Sequence, residues 1–176
     1  MLAGAKINSL LYVPDIEPGM ALKALSRFAD VIALTSEASK AYFNAGKKME
    51  VTGYPTRDDL KVIARDEALS TFNLTPDLPV LLVIGGSKGA HSLNQAVFDN
   101  LSTLLERVQV LHVTGQLDWQ TAMESKAQLS AAHTARYQPH AYLHEEISAA
   151  FSAASIVLSR AGASTLGELP LFGLPA

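Results

Sequence analysis

Short apolar runs alternate along this chain with longer stretches whose apolar residues recur at helical spacing. Most of the apolar runs show no polar/apolar alternation, which is typical of strands buried on both faces of a parallel sheet. The pattern predicts strands at residues 7–13, 31–35, 49–52, 80–84, 108–114, 141–143 and 156–159. It predicts helices at residues 20–28, 36–43, 58–72, 92–107, 119–132, 145–154 and 164–172. This alternation predicts an α/β fold with a doubly wound, Rossmann-like parallel sheet.

A domain boundary is predicted near Gly53-Tyr54-Pro55, where a strand ends in turn-forming residues and a charged stretch follows. Residues 1–53 contain too few strands for a complete sheet, and the chain ends in Gly-Leu-Pro-Ala, a usual approach to another buried strand. We therefore expect residues 1–53 to be a remnant of one Rossmann-like domain. Residues 54–176 would be an incomplete second domain, in a chain truncated at both ends.

Composition excludes several classes of function. The hydrophobic fraction of 48% and the charged fraction of 18% allow a sizeable core and argue against disorder. The net charge of −3 comes from interspersed acids and bases, so no nucleic-acid partner is expected. The absence of cysteine excludes disulfides and a thiolate nucleophile, and the histidine spacing indicates no metal site. No secretory signal or membrane-spanning run is evident, which favours a cytoplasmic location.

A glycine-rich turn at residues 85–90, Gly-Gly-Ser-Lys-Gly-Ala, follows a predicted buried strand and precedes a helix. Glycine allows backbone amides to approach a ligand closely, and a helix N-terminus favours an anion. The spacing matches neither the dinucleotide fingerprint nor a Walker loop. A tight turn without a ligand is the alternative, and the residues alone leave both interpretations open.

A second strand-to-helix turn, at residues 159–165, also consists of small residues. The hydroxyls of Ser164 and Thr165 and the free amides of the helix start would hold a diphosphate. Glu168, on the first helical turn, would accept hydrogen bonds from a ribose diol. The structural alternative is a capping box, because Thr165 and Glu168 have its spacing. Arg160 would pair with a phosphate or hold the loop through an internal carboxylate, and the loop role is favoured.

Arg57 follows the strand end at Gly53-Tyr54-Pro55. It is either a solvated linker residue or a cation directed into a cleft between domains, toward an anionic donor. Other conspicuous residues have structural interpretations. His112 would be a core or packing residue, and Trp119 would serve helix packing. The acidic pair at residues 145–146 would open a helix, where acids are favoured.

In this order, several segments resemble the MurG family of UDP-N-acetylglucosamine transferases, which completes lipid II in peptidoglycan synthesis. They are Gly-Gly-Ser-Lys-Gly-Ala at residues 85–90, Leu-Asn-Gln at 93–95, His-Val-Thr-Gly at 112–115, Arg-Ala-Gly-Ala-Ser-Thr at 160–165 with Glu168, and the final Gly-Leu-Pro-Ala. Val-Thr-Gly-Tyr-Pro-Thr-Arg at residues 51–57 is similar to the family's Gly-Asn-Pro-x-Arg segment. The resemblance covers most of the chain from about Gly53 onward.

The resemblance implies a GT-B fold whose C-terminal domain binds the donor, and an inverting transfer without a metal or other cofactor. It implies that the backbone near His144 reads uracil and that a helix N-terminus stabilises the departing diphosphate. Its remaining implied donor contacts are Arg57, Gly86, Ser87, Ala163, Ser164, Thr165 and Glu168.

Four departures from the family concern the acceptor, the sugar, the donor site and the last helix. The family's glycine-rich loop and its histidine, which serve the acceptor and the proton transfer, are absent, so no catalytic residue is assigned here. The glutamine-rich segment that contacts the sugar is also absent. Asp15 replaces an asparagine of the family's donor site. Pro170 replaces a helical alanine and predicts a short or kinked last helix.

The resemblance implies UDP-N-acetylglucosamine as donor and a lipid-linked muramyl-peptide acceptor, lipid I, bound through the absent domain. Peripheral association with the inner face of the plasma membrane is compatible with that acceptor. A related GT-B enzyme with another lipid acceptor, such as diacylglycerol, and a non-catalytic nucleotide-binding module remain alternatives. We expect this chain to bind UDP weakly and not to turn over donor.

Overall fold

A computed structural model describes residues 7–86, 89–160 and 162–176. The chain divides into two compact units, Met1–Pro55 and Thr56–Ala176. Each unit has its own sheet, and the described strands pair in parallel in both.

The first unit is a three-stranded sheet in the order β1-β2-β3. Its strands are β1 (Leu10–Val13), β2 (Val31–Leu34) and β3 (Lys48–Val51). Helix α1 (Met20–Leu25) joins β1 to β2, and a 3-10 helix (Glu37–Tyr42) joins β2 to β3. The buried core consists of Val13, Ala29, Ile32 and Leu34. The predicted helix at residues 36–43 is present as this 3-10 helix, a tighter form that occurs in short segments.

The second unit contains a four-stranded sheet in the order β6-β5-β4-β7. Its strands are β4 (Val80–Ile84), β5 (Gln109–Val113), β6 (Tyr137–His140) and β7 (Ile156–Ser159). Its helices are α2 (Arg65–Thr71), α3 (His91–Asp99), α4 (Leu101–Leu105), α5 (Trp119–Ala127), α6 (Ala131–Arg136), α7 (Ile147–Ala153) and α8 (Ala163–Leu171).

Alternate residues of β4 face two separate cores. Leu82 belongs to a cluster with α2 and α7, and Leu81 and Val83 belong to a cluster with α3 and α4. The direction of the connections explains this division. The chain moves from β4 through β5 to β6 in one direction along the sheet and returns to β7 in the other. Parallel crossovers share one hand, so connections in opposite directions lie on opposite faces.

One predicted strand is wrong. Residues 141–143 form a loop, and the strand lies just before them as β6, Tyr-Gln-Pro-His. Proline weakens a strand signal in sequence, but it is tolerated at Pro139 because β6 is at the edge of the sheet. Tyr137 and Pro139 are the buried residues of this strand.

Two predicted helices each divide in two. The segment at 92–107 breaks at Asn100 into α3 and α4. The segment at 119–132 breaks before Ser130, whose side chain accepts a hydrogen bond from the His133 amide and so starts α6. Propensity and apolar spacing predict helical segments well but do not locate such internal breaks. Helix α8 continues past Pro170 to Leu171, so the last helix is not shortened before that proline.

The predicted helix at 58–72 begins only at Arg65, because the preceding residues are held in another way. The amides of Lys61 and Ile63 donate to the hydroxyls of Ser148 and Ser152, each at 3.1 Å. These serines are one turn apart on α7, so they match alternate amides of an irregular, extended segment. The segment that carries Arg57 is thereby attached to the helix behind the sheet.

A buried polar network fixes α3 against the sheet. The His112 ring, which has no exposed surface, places Nε2 3.0 Å from Asn94 Oδ1 and Nδ1 3.1 Å from the Tyr137 hydroxyl. The Asn94 oxygen can only accept, so Nε2 carries the proton and Nδ1 accepts from Tyr137. Burial disfavours the charged ring and lowers the pKa of His112 to about 4, even though Asp118 acts in the opposite direction.

The same network continues to the loop after β5. The Asn94 amide donates to the Thr114 carbonyl and to Asp118 Oδ2, each at 2.7 Å, and His91 Nδ1 lies 2.8 Å from Asp118 Oδ1. Burial acts to raise the pKa of Asp118, but the hydrogen bonds from Asn94 and His91 outweigh it and lower that pKa. The start of α3 is therefore tied to the end of β5.

The low pKa of His112 predicts that the second unit loses stability in acid. The unfolded chain binds a proton at this ring below a pH of about 6.5, whereas the folded chain binds it only near pH 4. The free energy of unfolding should therefore fall by about 3 kcal/mol between those pH values through this residue. Urea unfolding followed by Trp119 fluorescence measures it, since Trp119 lies in the second unit.

His112→Gln is the comparison variant, because glutamine has no group that titrates. Its stability should depend less steeply on pH over the same interval. If the variant and the original chain show the same slope, His112 is not the group responsible. Ring NMR of the original chain provides a second check: the His112 signals should not shift between pH 7 and pH 5.5.

Candidate functional site

The carboxyl ends of β4, β5, β6 and β7 share one edge because all the strand pairs are parallel. At this edge β4 lies between β5, its successor in the chain, and β7, which the chain reaches last. The loops after β4 and β7 consequently diverge toward opposite faces. Open α/β sheets bind ligands at such a switch point, outside the carboxyl ends of the strands.

The turn after β4 is built on glycine backbone geometry. Gly86 and Gly89 have φ of 90° and 75°, and the Gly89 amide donates to the Gly86 carbonyl at 2.9 Å. A β-carbon at Gly89 would lie 2.5 Å from the Thr114 carbonyl oxygen, so only glycine fits there. The N-cap residue of α3 is Ala90, which provides no side-chain capping hydrogen bond to the helix that begins after this turn. Ser87, the predicted diphosphate contact, lies outside the described residues.

The turn after β7 leads into α8 without a side-chain cap. Gly162 is the N-cap residue, which places Thr165 at the third helical position and Glu168 in the second turn. The capping box considered for Thr165 and Glu168 is therefore not formed, and the prediction that Glu168 lies on the first turn is wrong. The backbone of Ala163 and Ser164 forms the start of the helix. Arg160 is exposed at the beginning of the turn.

Two predicted donor contacts that are far apart in sequence, Arg57 and Glu168, lie together. Arg57 Nε is 3.9 Å from Glu168 Oε1 and 3.6 Å from Asp59 Oδ1. The Glu168 side chain is 16% exposed, against 47% for Arg57 and 68% for Asp59. Burial raises the pKa of Glu168, Arg57 opposes the rise, and Asp59 adds to it. The carboxylate is thus partly enclosed, and Arg57 favours its charged form.

An open cavity of about 320 Å³ adjoins this ion pair. It is lined by Arg57, Asp59, Tyr142, Leu143, His144 and Glu145. The rings of Tyr142 and His144 are 4.5 Å apart at their centroids, so they form an aromatic wall on the loop after β6. The cavity therefore combines a cation, carboxylates and aromatic surface at the carboxyl edge of the sheet.

The backbone amide of His144, near the predicted uracil contact, already has a partner. It donates to Glu146 Oε2 at 3.2 Å. The pKa of Glu146 is lowered by hydrogen bonds from its own amide and from that of His144. A base that used the His144 amide would have to replace this carboxylate.

The remaining predicted residues are placed as follows. Asp15 belongs to the first unit, where its carbonyl accepts a hydrogen bond from the Ser39 hydroxyl at 3.4 Å. Its part in donor binding remains a prediction. The side chains of Ala163 and Ser164 lie outside the described part of the chain, as does Ser87.

Sequence analysis did not identify Asp59, Tyr142, Leu143 and Glu145 as residues of the site. The prediction that the acidic pair at 145–146 opens a helix is correct in that Glu146 is the N-cap residue of α7, but Glu145, just before it, also lines the cavity. Residues 141–143 were predicted as a strand, so Tyr142 and Leu143 were not expected to lie in a loop beside the cavity. The proximity of Asp59 to Arg57 in sequence was an available signal for that residue.

Metal and membrane features were also sought. In residues 7–86, 89–160 and 162–176, no group of three or more His, Asp or Glu side chains could hold a metal ion. Within those same ranges, no helix has the length and apolar character needed to cross a membrane.

The fold and the cavity define a Rossmann-like α/β domain with an open crevice at the carboxyl edge of its sheet. The chain belongs to glycosyltransferase family 28, because the model of that family's C-terminal domain matches residues 80–176. The predicted class of enzyme, a glycosyltransferase, and the predicted resemblance to MurG are thereby confirmed.

Curated relatives carry the name UDP-N-acetylglucosamine--N-acetylmuramyl-(pentapeptide) pyrophosphoryl-undecaprenol N-acetylglucosamine transferase. The protein from Desulforamulus reducens is 37% identical over 97% of this chain and 46% of its own length. The one from Roseiflexus sp. (strain RS-1) is 34% identical over 98% of this chain and 46% of its own length. The one from Legionella pneumophila (strain Lens) is 35% identical over 99% and 47%. The chain therefore spans about half the length of these relatives.

A solved structure shows the same fold. The crystal structure of Acinetobacter baumannii MurG aligns with a TM-score of 0.67 and 24% identity, over 96% of this chain and 44% of that one. The predicted fold class, a Rossmann-like parallel sheet of the GT-B type, is confirmed.

The close approach at Gly89 predicts that the first turn does not tolerate a side chain. Gly89→Ala should lower the free energy of unfolding by at least about 2 kcal/mol, because it combines a positive φ with a backbone clash. Gly162→Ala is the matched control: its φ is −81°, and its β-carbon would meet the Thr165 hydroxyl at 3.8 Å and the Arg160 carbonyl oxygen at 3.9 Å, both ordinary contacts. Urea unfolding monitored by Trp119 should show the difference. Equal stability of the two variants would refute the described turn geometry.

Proposed function

We propose that this chain is the donor-binding part of an inverting, metal-independent transferase. It would move N-acetylglucosamine from UDP-N-acetylglucosamine to a lipid-linked muramyl-peptide acceptor, converting lipid I to lipid II. The observation that carries the proposal is the pairing of Arg57 with Glu168 at 3.9 Å beside a cavity at the carboxyl edge of the sheet. The names of the relatives, which specify this donor and an undecaprenol-linked acceptor, support the substrates.

Each part of the donor has a proposed counterpart. The backbone of the loop near His144 would read uracil, with the aromatic wall of Tyr142 beside it. Glu168 would accept hydrogen bonds from both ribose hydroxyls, a role that suits a partly enclosed carboxylate. The diphosphate would lie against Arg57 and the turn at Gly86 and Ser87. The uncapped start of α8, from Ala163 to Thr165, would supply further donors.

The proposed chemistry follows from this placement. The acceptor hydroxyl attacks C1 of the sugar from the face opposite the diphosphate, so the configuration inverts. The bond between C1 and the β-phosphate oxygen breaks, and UDP leaves with the electron pair. Backbone amides at the start of α8 and the Arg57 guanidinium would stabilise the charge that develops on UDP, which replaces a metal ion. The hydroxyl proton passes to a base expected outside this chain.

The two units would have different roles. We assign residues 54–176 to the donor-binding domain and residues 1–53 to a remnant of the acceptor domain, with Asp15 as a further donor contact. Arg160 would hold the turn after β7. Because the acceptor is lipid-linked, the whole protein would act at the inner face of the plasma membrane.

The ribose role of Glu168 gives a specific expectation for nucleotide binding. In calorimetry, Glu168→Gln should bind UDP about tenfold more weakly, equivalent to about 1.4 kcal/mol, because neutral acceptors form weaker hydrogen bonds than carboxylates. The original chain should also bind 2′-deoxy-UDP less tightly than UDP, since one hydroxyl partner is lost. Glu168→Gln should discriminate little between the two nucleotides.

Glu67→Gln on the exposed side of α2 is the matched control, and it should bind both nucleotides as the original chain does. Unchanged UDP binding by Glu168→Gln would remove Glu168 from the site. Undiminished discrimination against 2′-deoxy-UDP by that variant would show that another group holds the ribose.

A further inference from the structure

Asp59 occupies a position at the cavity that the proposed chemistry does not explain. Its Oδ1 atom is closer to Arg57 Nε than is the Glu168 carboxylate, at 3.6 Å against 3.9 Å. Both distances exceed that of a hydrogen bond. The guanidinium therefore lies near two carboxylates and is hydrogen-bonded through Nε to neither. Asp59 also lines the cavity itself.

The charges around the cavity are unfavourable for an anionic ligand. Arg57 is accompanied in the lining by Asp59 and Glu145, and Glu168 adjoins it. A nucleoside diphosphate brings further negative charge to the same guanidinium. A carboxylate within a few ångströms of that guanidinium opposes its binding, both by repulsion and by occupying Arg57.

Of the two carboxylates, Asp59 is the one that can exchange readily. Its side chain is 68% exposed, whereas that of Glu168 is 16% exposed and is assigned to the ribose. Exposed ion pairs are weak and are screened by salt, so a diphosphate can displace Asp59 from Arg57. Asp59 can return to Arg57 when the diphosphate leaves.

We propose that Asp59 is a counter-charge that competes with the donor's diphosphate for Arg57 and so limits how tightly UDP is held. The inference rests on the proposed function, because it requires a nucleoside diphosphate in this cavity. Its consequence is that Asp59 promotes release of the product. By this proposal, Asp59 lowers the affinity for the diphosphate of the nucleotide and leaves the affinity for the nucleoside unchanged.

Asp59→Asn tests the proposal directly, with Asp58→Asn as the matched control. The two residues are adjacent and both are exposed, and the same charge is removed, but Asp58 does not line the cavity. In calorimetry, Asp59→Asn should bind UDP about two- to fivefold more tightly than the original chain, as expected for one screened charge at short range. Its affinity for uridine should be unchanged, and Asp58→Asn should resemble the original chain with both ligands.

A second pair of variants separates competition for Arg57 from general repulsion. With Arg57→Gln already present, adding Asp59→Asn should change UDP affinity by less than it does in the original chain. An equal gain in both backgrounds would overturn the competition for Arg57. Equal UDP affinity of Asp59→Asn and Asp58→Asn would also overturn it. Weaker UDP binding by Asp59→Asn would show instead that Asp59 positions Arg57 for the phosphate.

UDP binding by the original chain distinguishes failure of the proposed function from failure of the inference about Asp59. If the original chain binds no UDP, and Arg57→Gln behaves identically, the cavity is not a nucleoside-diphosphate site, and the role of Asp59 fails with it. If the original chain binds UDP and only the Asp59 comparison fails, the proposed function stands without this inference.

Discussion

The second unit depends on the position of β4 between strands that the chain reaches in opposite directions. This constraint places the loops after β4 and β7 side by side at one edge and sends their helices to opposite faces. The strand itself can occupy that position because it is apolar on both faces. The polar network around His112 and Asn94 then fixes α3, so the glycine-rich turn leads into a helix that is bonded to the sheet.

The same arrangement explains why the candidate site gathers residues from distant parts of the sequence. Arg57 precedes the first helix of the unit, whereas Glu168 lies on the last one. The serine hydroxyls of α7 hold the segment after Arg57 against the body of the unit, which brings the guanidinium to the end of the sheet. The site is therefore a consequence of how the ends of the unit pack, with the sheet between them.

The sequence predicts the strands that are continuously apolar. Strands β4 and β7 have the predicted bounds, although only β4 is buried on both faces, and Ile156 and Leu158 of β7 are exposed. Strand β6 was missed because its edge position, which makes Pro139 acceptable, is known only from the assembled sheet. Arg57 and Glu168 were predicted largely from resemblance. Asp59 and Tyr142 were not, because their relevance arises from a cavity that forms only when distant segments meet.

The identity of the N-cap residue of α8 decides whether the first amides of the helix and the Glu168 carboxylate are bonded to each other. Had Thr165 been the N-cap residue, Glu168 would have reached back to the Thr165 amide, and both would have been occupied within the helix. With Gly162 as the N-cap, the first amides of α8 have no side-chain cap, and Glu168 lies in the second turn. Its carboxylate then faces Arg57. In the proposed function, these amides would receive the diphosphate of the donor, and the Glu168 carboxylate would receive its paired ribose hydroxyls.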